Sequence, residues 1–178
     1  MASIHAAHVT ALGRGDAHGR AAMRDALESP AAPRAFADLE VWRGGRAEEP
    51  LFGGNLALLQ ACAAAGRLRV PDGCVMLLED VTERPYRIDR MLATLAAGGH
   101  LARAAAFVLG DFSDCVPGAD GVTAEAVLRE ALGGLGVPVL AGLPVGHGRR
   151  NVPVVLGVPA RVEAGASGAL HLAPPARG

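Results

Sequence analysis

Two segments of this chain carry residues that could move protons. Leu77-Leu78-Glu79-Asp80-Val81 closes an apolar run with two acids, and Gly142-Leu143-Pro144-Val145-Gly146-His147-Gly148 sets a histidine between glycines after another apolar run. An imidazole has an ordinary pKa of about 6.5, so His147 suits a general base. A carboxylate accepting a bond from the other ring nitrogen would hold the imidazole in one tautomer, and Glu79 suits that part. An acid and a base held at strand ends read as two thirds of a Ser-His-Glu hydrolase. Each residue also has a plainer reading. His147 could be a loop histidine in water, and Glu79 an ordinary strand-end acid with Asp80 competing for its role.

Such a hydrolase needs a nucleophile. The serines are Ser3, Ser29, Ser113 and Ser167, and none sits in a Gly-x-Ser-x-Gly elbow. Ser29 precedes a proline and ends a helix. Ser113 lies in the loop Gly110-Asp111-Phe112-Ser113-Asp114-Cys115 and is a weak candidate. Cys115 could act as a thiol nucleophile, but a small half-buried cysteine is the commoner outcome. No residue is assigned as the nucleophile. Arg87 or Arg90, in Pro85-Tyr86-Arg87-Ile88-Asp89-Arg90, could bind a carboxylate or form a charge arrangement with Asp89 on a solvated face. Gly53-Gly54-Asn55-Leu56 could offer backbone N–H groups to a substrate, or make a tight turn with Asn55 as N-cap. Asp111 follows a strand, as Glu79 and His147 do. His5 and His8 lack partners at metal-ligand offsets, so no metal site is expected.

These residues need elements to hold them. Apolar runs at Cys74 to Leu78, Ala104 to Leu109 and Val137 to Leu140 predict buried strands. Helical spacing predicts helices from Asp16 (as N-cap) to Leu27, Leu56 to Ala65, Tyr86 to Gly98 and Thr123 to Leu132. Shorter strands are expected at His8-Val9-Thr10, Leu39 to Trp42, Val152 to Leu156, Ala160 to Glu163 and Leu170-His171-Leu172, with Gly53-Gly54-Asn55 as a loop. Buried strands alternating with helices predict an α/β architecture with some parallel pairing, whose ligand groups gather at the carboxyl ends of strands.

Composition narrows the field. The 178 residues are 51% hydrophobic and 20% charged, enough to bury a core, while aromatics contribute only 3%. All 17 basic residues are Arg, and the net charge is −1 without like-charge blocks. That leaves no electrostatic footprint for nucleic acid or an anionic membrane. Three widely spaced cysteines fit neither a disulfide framework nor a zinc site. With neither a membrane span nor a signal peptide apparent, a cytoplasmic location is expected.

The motifs Gly53-Gly54-Asn55-Leu56, Leu78-Glu79-Asp80-Val81, Pro85 to Arg90, Gly110 to Cys115 and Gly142 to Gly148 occur in an order that resembles the LD-carboxypeptidase family. These serine peptidases include murein tetrapeptide carboxypeptidase and the microcin C immunity peptidase. The resemblance runs from about residue 45 to residue 161, with a weaker match back to His5. It implies a flavodoxin-like N-terminal domain carrying the nucleophilic serine and a swivelling β/β/α C-terminal domain carrying the glutamate and histidine. By this resemblance Glu79 and His147 are triad members, and Gly53, Gly54, Asn55, Arg87 and Asp111 border the substrate. It implies cleavage of an L–D peptide bond of murein peptides without metal or cofactor, in the cytoplasm, often as a homodimer. Residues 1–45 would be the end of the N-terminal domain plus a linker, 46–170 the C-terminal domain, and 171–178 a tail. The serine turn would lie upstream of Met1, and Ser113 stands in a different motif where Thr is usual. His5-Ala6-Ala7-His8 replaces the usual His-Gly-Pro, and Gly66-Arg67-Leu68 the usual Gly-Thr-Pro. The isolated chain is expected to be inactive, needing an N-terminal nucleophile domain. The alternative is a non-catalytic truncated homologue that folds, dimerises or binds without hydrolysis.

Overall fold

The computed structural model describes residues 2–14, 17–148 and 150–173. The expected N-cap Asp16 and the end of the expected tail lie outside the described residues. The chain order is β1 (Ser3–His5), α1 (Val9–Arg14), α2 (Ala17–Glu28), β2 (Arg34–Arg43), β3 (Gly45–Asn55), α3 (Leu56–Ala64), β4 (Cys74–Val81), α4 (Pro85–Ala97), β5 (Ala104–Ser113), α5 (Ala124–Gly133), β6 (Val139–Ala141), β7 (Val154–Leu156), β8 (Pro159–Ala164) and β9 (Gly168–Leu172).

Seven strands close into a barrel in the order β2-β6-β5-β4-β3-β8-β9. Strands β3, β4, β5 and β6 are parallel, and α3, α4 and α5 are the crossovers between them. The remaining pairings are antiparallel. The long strands β2 and β3 bridge the two regions. The first part of β3 pairs with β8 and its end pairs with β4. Similarly, β2 pairs first with β9 and then with β6. Outside the barrel, β1 pairs antiparallel with β7.

Strand β4 is apolar through most of its length because both its faces are buried. Val75 and Leu77 pack in the barrel interior with Leu51, Val108, Leu140 and Val162. Met76 and Leu78 pack on the other side, under the helices, with Ile88, Leu92, Leu95 and Phe107. With one fully buried aromatic, Phe107, the two layers are filled by aliphatic side chains. Helix α4 turns Ile88, Met91, Leu92 and Leu95 onto this layer, a spacing that makes one face of a helix. Pro85 stands in its first turn, where a missing N–H leaves no hydrogen bond unmade. Thr123 caps α5 by accepting from the Ala126 N–H at 3.0 Å.

Three expectations need correction. Gly53-Gly54-Asn55 is the end of strand β3, paired with Leu77, Leu78 and Glu79, and not a loop. Glycine lowers strand propensity, but here close approach decides: a Cβ on Gly53 would collide with the Leu77 carbonyl oxygen. Val9 and Thr10 are not a strand; they open helix α1, with Val9 turned to solvent. Strand propensity is realised by packing on a pleated, half-buried surface, and these residues have none. Glu79 and Asp111 do not follow their strands; they lie within β4 and β5. The expected division between residues 45 and 46 falls just inside the start of β3, a strand of the same barrel as β2.

Candidate acid–base site at the barrel mouth

Successive strand residues face opposite sides of a sheet, and this separates the two adjacent acids of β4. Asp80, 2% exposed, faces the helical layer. Its Oδ1 accepts from Asn55 Nδ2 at 2.9 Å and from its neighbour Val81 N–H at 2.8 Å, and its Oδ2 accepts from Ala57 N–H at 2.9 Å. Asn55 Oδ1 accepts from Leu58 N–H at 3.1 Å, capping α3. Asp80 therefore satisfies and electrostatically complements the start of α3. No oxygen of it is directed at a proton-transfer partner.

Glu79 is fully buried on the opposite face, at the mouth of the barrel. Its Oε2 lies 2.9 Å from His147 Nδ1. Facing a carboxylate, Nδ1 carries the proton and donates it, which leaves Nε2 as the basic nitrogen. The imidazole is one-third exposed, and among the described residues no serine or cysteine hydrogen-bonds to it. Among the described residues Glu79 Oε1 has no hydrogen-bond partner, and it lies 3.6 Å from His5 Nε2.

The loop carrying His147 is stitched to its surroundings. Leu143 N–H donates to the Leu109 carbonyl at 3.0 Å, and Asp111 N–H donates to the Val145 carbonyl at 2.8 Å. Gly148 N–H donates to Asp111 Oδ2 at 3.1 Å. The Asn151 side-chain amide spans the Gly146 peptide: Oδ1 accepts from Gly146 N–H at 3.3 Å, and Nδ2 donates to the Gly146 carbonyl.

The glycines beside His147 serve close approach, and Gly146 also takes a φ of +130°, which residues with a side chain rarely adopt. A Cβ on Gly146 would stand 2.8 Å from Glu79 Oε2, and one on Gly148 would collide with the Asp111 carboxylate. Gly54 plays the same part on the other side of the site, where a Cβ would stand 3.3 Å from His5 Nδ1.

Burial raises the Asp111 carboxyl above its ordinary range, opposed by the Gly148 N–H and the His147 charge. Burial lowers the proton affinity of His5; the Glu79 carboxylate opposes this and the His147 charge adds to it. His8 adds a third ring to the mouth, its centroid 6.3 Å from that of His147.

The structure thus brings Glu79, His147 and Asp111 together, with Gly54 beside them. Asn55 serves the start of α3, and Gly53 packs on the β4 backbone. Arg87 is half exposed and pairs with Glu83 at 3.2 Å, where the charge reading had placed Asp89. Residue-by-residue reading missed His5 and Asn151. His5 stands only in a weak motif match and Asn151 in none, and their contacts reach Glu79 and the His147 loop only in the folded chain. Among the described residues no group of three or more His, Cys, Asp or Glu is arranged to hold a metal ion.

Comparison with known proteins bears on this geometry. The family model of the LD-carboxypeptidase C-terminal domain matches residues 48–162. A putative carboxypeptidase of Synechocystis sp. is 41% identical over 126 residues, which cover 68% of this chain and 41% of that protein. A probable murein peptide carboxypeptidase of Bacillus subtilis is 37% identical over 118 residues, 65% of this chain and 37% of that one. The crystal structure of muramoyltetrapeptide carboxypeptidase from Oxalobacter formigenes superposes with a TM-score of 0.81 at 27% identity, covering 97% of this chain and 61% of the other. The chain therefore spans about two fifths of the length of the sequence relatives it matches. With the matched region holding both members of the acid–base pair, this chain belongs to the LD-carboxypeptidase family, as its C-terminal portion.

Proposed function

We propose that Glu79 and His147 are the acid and base of a Ser-His-Glu triad that cleaves an L–D peptide bond of murein peptides, with the nucleophilic serine supplied from outside these 178 residues. The observation that carries this is the 2.9 Å contact between His147 Nδ1 and the buried Glu79 Oε2. In this mechanism Nε2 takes the serine proton as the oxygen attacks the carbonyl carbon. Glu79 holds the ring and stabilises the imidazolium. The imidazolium then gives its proton to the leaving amine of the terminal D-residue. A water, activated in turn by Nε2, hydrolyses the acyl-enzyme and restores the serine.

In the same reading the barrel is the swivelling C-terminal domain, and the residues before β2 are the trailing part of the serine-bearing domain. The protein works in the cytoplasm, as a homodimer. A reducing compartment suits its three free cysteines, Cys62, Cys74 and Cys115. Asp111 borders the substrate only through the loop it pins. The second reading, a non-catalytic module, is favoured by the lack of a serine or cysteine bonded to His147 among the described residues.

A chimera separates the two. Residues 3–172 replace the segment they superpose on in the Oxalobacter formigenes enzyme, and release of terminal D-alanine from a murein tetrapeptide is measured. The chimera should release it, and His147→Ala should lower the rate by about a thousandfold or more. A folded chimera without release, or one indifferent to His147→Ala, refutes the triad. Release by the isolated 178-residue chain refutes the external nucleophile.

A further inference from the structure

Glu79 holds a fully buried carboxylate with one oxygen bonded and one bare among the described residues. A buried oxygen without a donor costs about 1–3 kcal/mol, more if it is charged, so a fold that retains one has a use for it or supplies a partner nearby. A group that can serve stands beside it: the ring of His5, with Nε2 3.6 Å from the bare Oε1. That ring is placed by elements other than those that hold His147. His5 ends β1, whose only strand partner among the described residues is β7, in the register His5 to Val154. Its other side rests over Gly54, where no side chain intervenes.

We propose that His5 is a second, positioning imidazole for Glu79, donating Nε2–H to Oε1 while His147 donates Nδ1–H to Oε2. The inference rests on Glu79 being the acid that orients His147. Closing the contact to hydrogen-bond length takes about half an ångström of ring movement. A carboxylate bonded at one oxygen can rotate about its terminal torsion, which is broad, and carry His147 with it. Bonded at both, it presents Oε2 in one direction, and the base is aimed by a group outside the barrel. Burial favours the neutral form of His5; Glu79 opposes this, and the His147 charge adds to the lowering. A neutral ring with Nε2–H is a donor to Glu79 that adds no second positive charge to compete with the imidazolium forming at His147. Gly54, singled out by its motif, gains a reason: an alanine there would press on the His5 ring.

The test uses the full chain labelled with 15N-histidine. Long-range 1H–15N spectra near neutral pH should show His5 as the Nε2–H tautomer and His147 as the Nδ1–H tautomer. The His147 Nδ1–H resonance should be observable in wild type, lost to solvent exchange in His5→Ala, and regained in His5→Gln, whose amide can place a donor near Oε1. Amide spectra of each variant report whether it folds. If His5→Ala unfolds, the wild-type tautomer alone decides. An Nδ1–H tautomer at His5, or an unchanged His147 resonance in folded His5→Ala, overturns the proposal. The readout involves no hydrolysis. An inactive chimera with these spectra intact would therefore condemn the triad and leave the His5 contact standing.

Discussion

The adjacent acids Glu79 and Asp80 are both almost fully buried, yet the structure gives them unequal energetic weight. Asp80→Ala removes the acceptor of three N–H groups at 2.8 to 2.9 Å, from Asn55, Ala57 and Val81. Each orphaned donor costs about 1–3 kcal/mol. These contacts are only partly buried and water recovers some of that loss, so the lower half of the range applies, about 3–6 kcal/mol in total. Glu79→Gln keeps the shape and an acceptor for His147. It gives up the charge assistance of one bond, about 1 kcal/mol. It also relieves the burial of a charge with one oxygen bare, which offsets a similar amount. The net change should lie within about 1 kcal/mol of zero, so the two variants should differ by about 2 kcal/mol or more. Urea unfolding followed by circular dichroism measures both, with the slope m checked for constancy. An Asp80→Ala loss below about 1 kcal/mol would refute the argument that Asp80 anchors α3. So would a Glu79→Gln loss as large as that of Asp80→Ala, since Glu79 would then be a structural acid.

Gly146→Ala should destabilise by about 2–4 kcal/mol, because φ is +130° there and the new Cβ would meet Glu79 Oε2. The same denaturation assay measures this, and a cost under about 0.5 kcal/mol would show that the loop gives way freely. Asp111 yields a pH prediction. Burial holds its carboxyl above the ordinary 3.8, so the folded chain keeps this proton to higher pH than the unfolded chain does. Stability therefore falls as pH rises from about 3.8 through the folded value, and Asp111→Asn should remove that fall. Midpoints of urea unfolding at about pH 3.5 and pH 6, wild type against variant, give the comparison; equal slopes would refute it.

The helical layer was legible in the chain because its signals are local. The spacing of Ile88, Met91, Leu92 and Leu95, the cap at Thr123 and the unbroken run from Cys74 each state their environment within a few residues. The antiparallel staves β2, β8 and β9 were legible as short strands, but the first half of β3 was not, and neither was the barrel. Pairing Gly45–Pro50 with residues 159–164 depends on segments more than a hundred residues apart, and nothing local encodes it. Gly53-Gly54 was misread because propensity treats glycine as a breaker, whereas here the neighbouring carbonyl and the His5 ring leave no room for a Cβ.

The sequence by itself determined that an acid pair and a glycine-flanked histidine stand next to apolar runs that form strands, because residue type and the run of apolar residues are properties of the chain alone. It left Asp80 competing with Glu79 for the same part, since both acids were placed beyond the end of the apolar run. Only the tertiary structure decided which of the two meets His147, that Asp80 serves a helix start, and that His5 reaches the other carboxylate oxygen. Those outcomes depend on distances between segments remote in the chain. Barrel closure and the β1–β7 pairing set such distances, and no local pattern of residues records them.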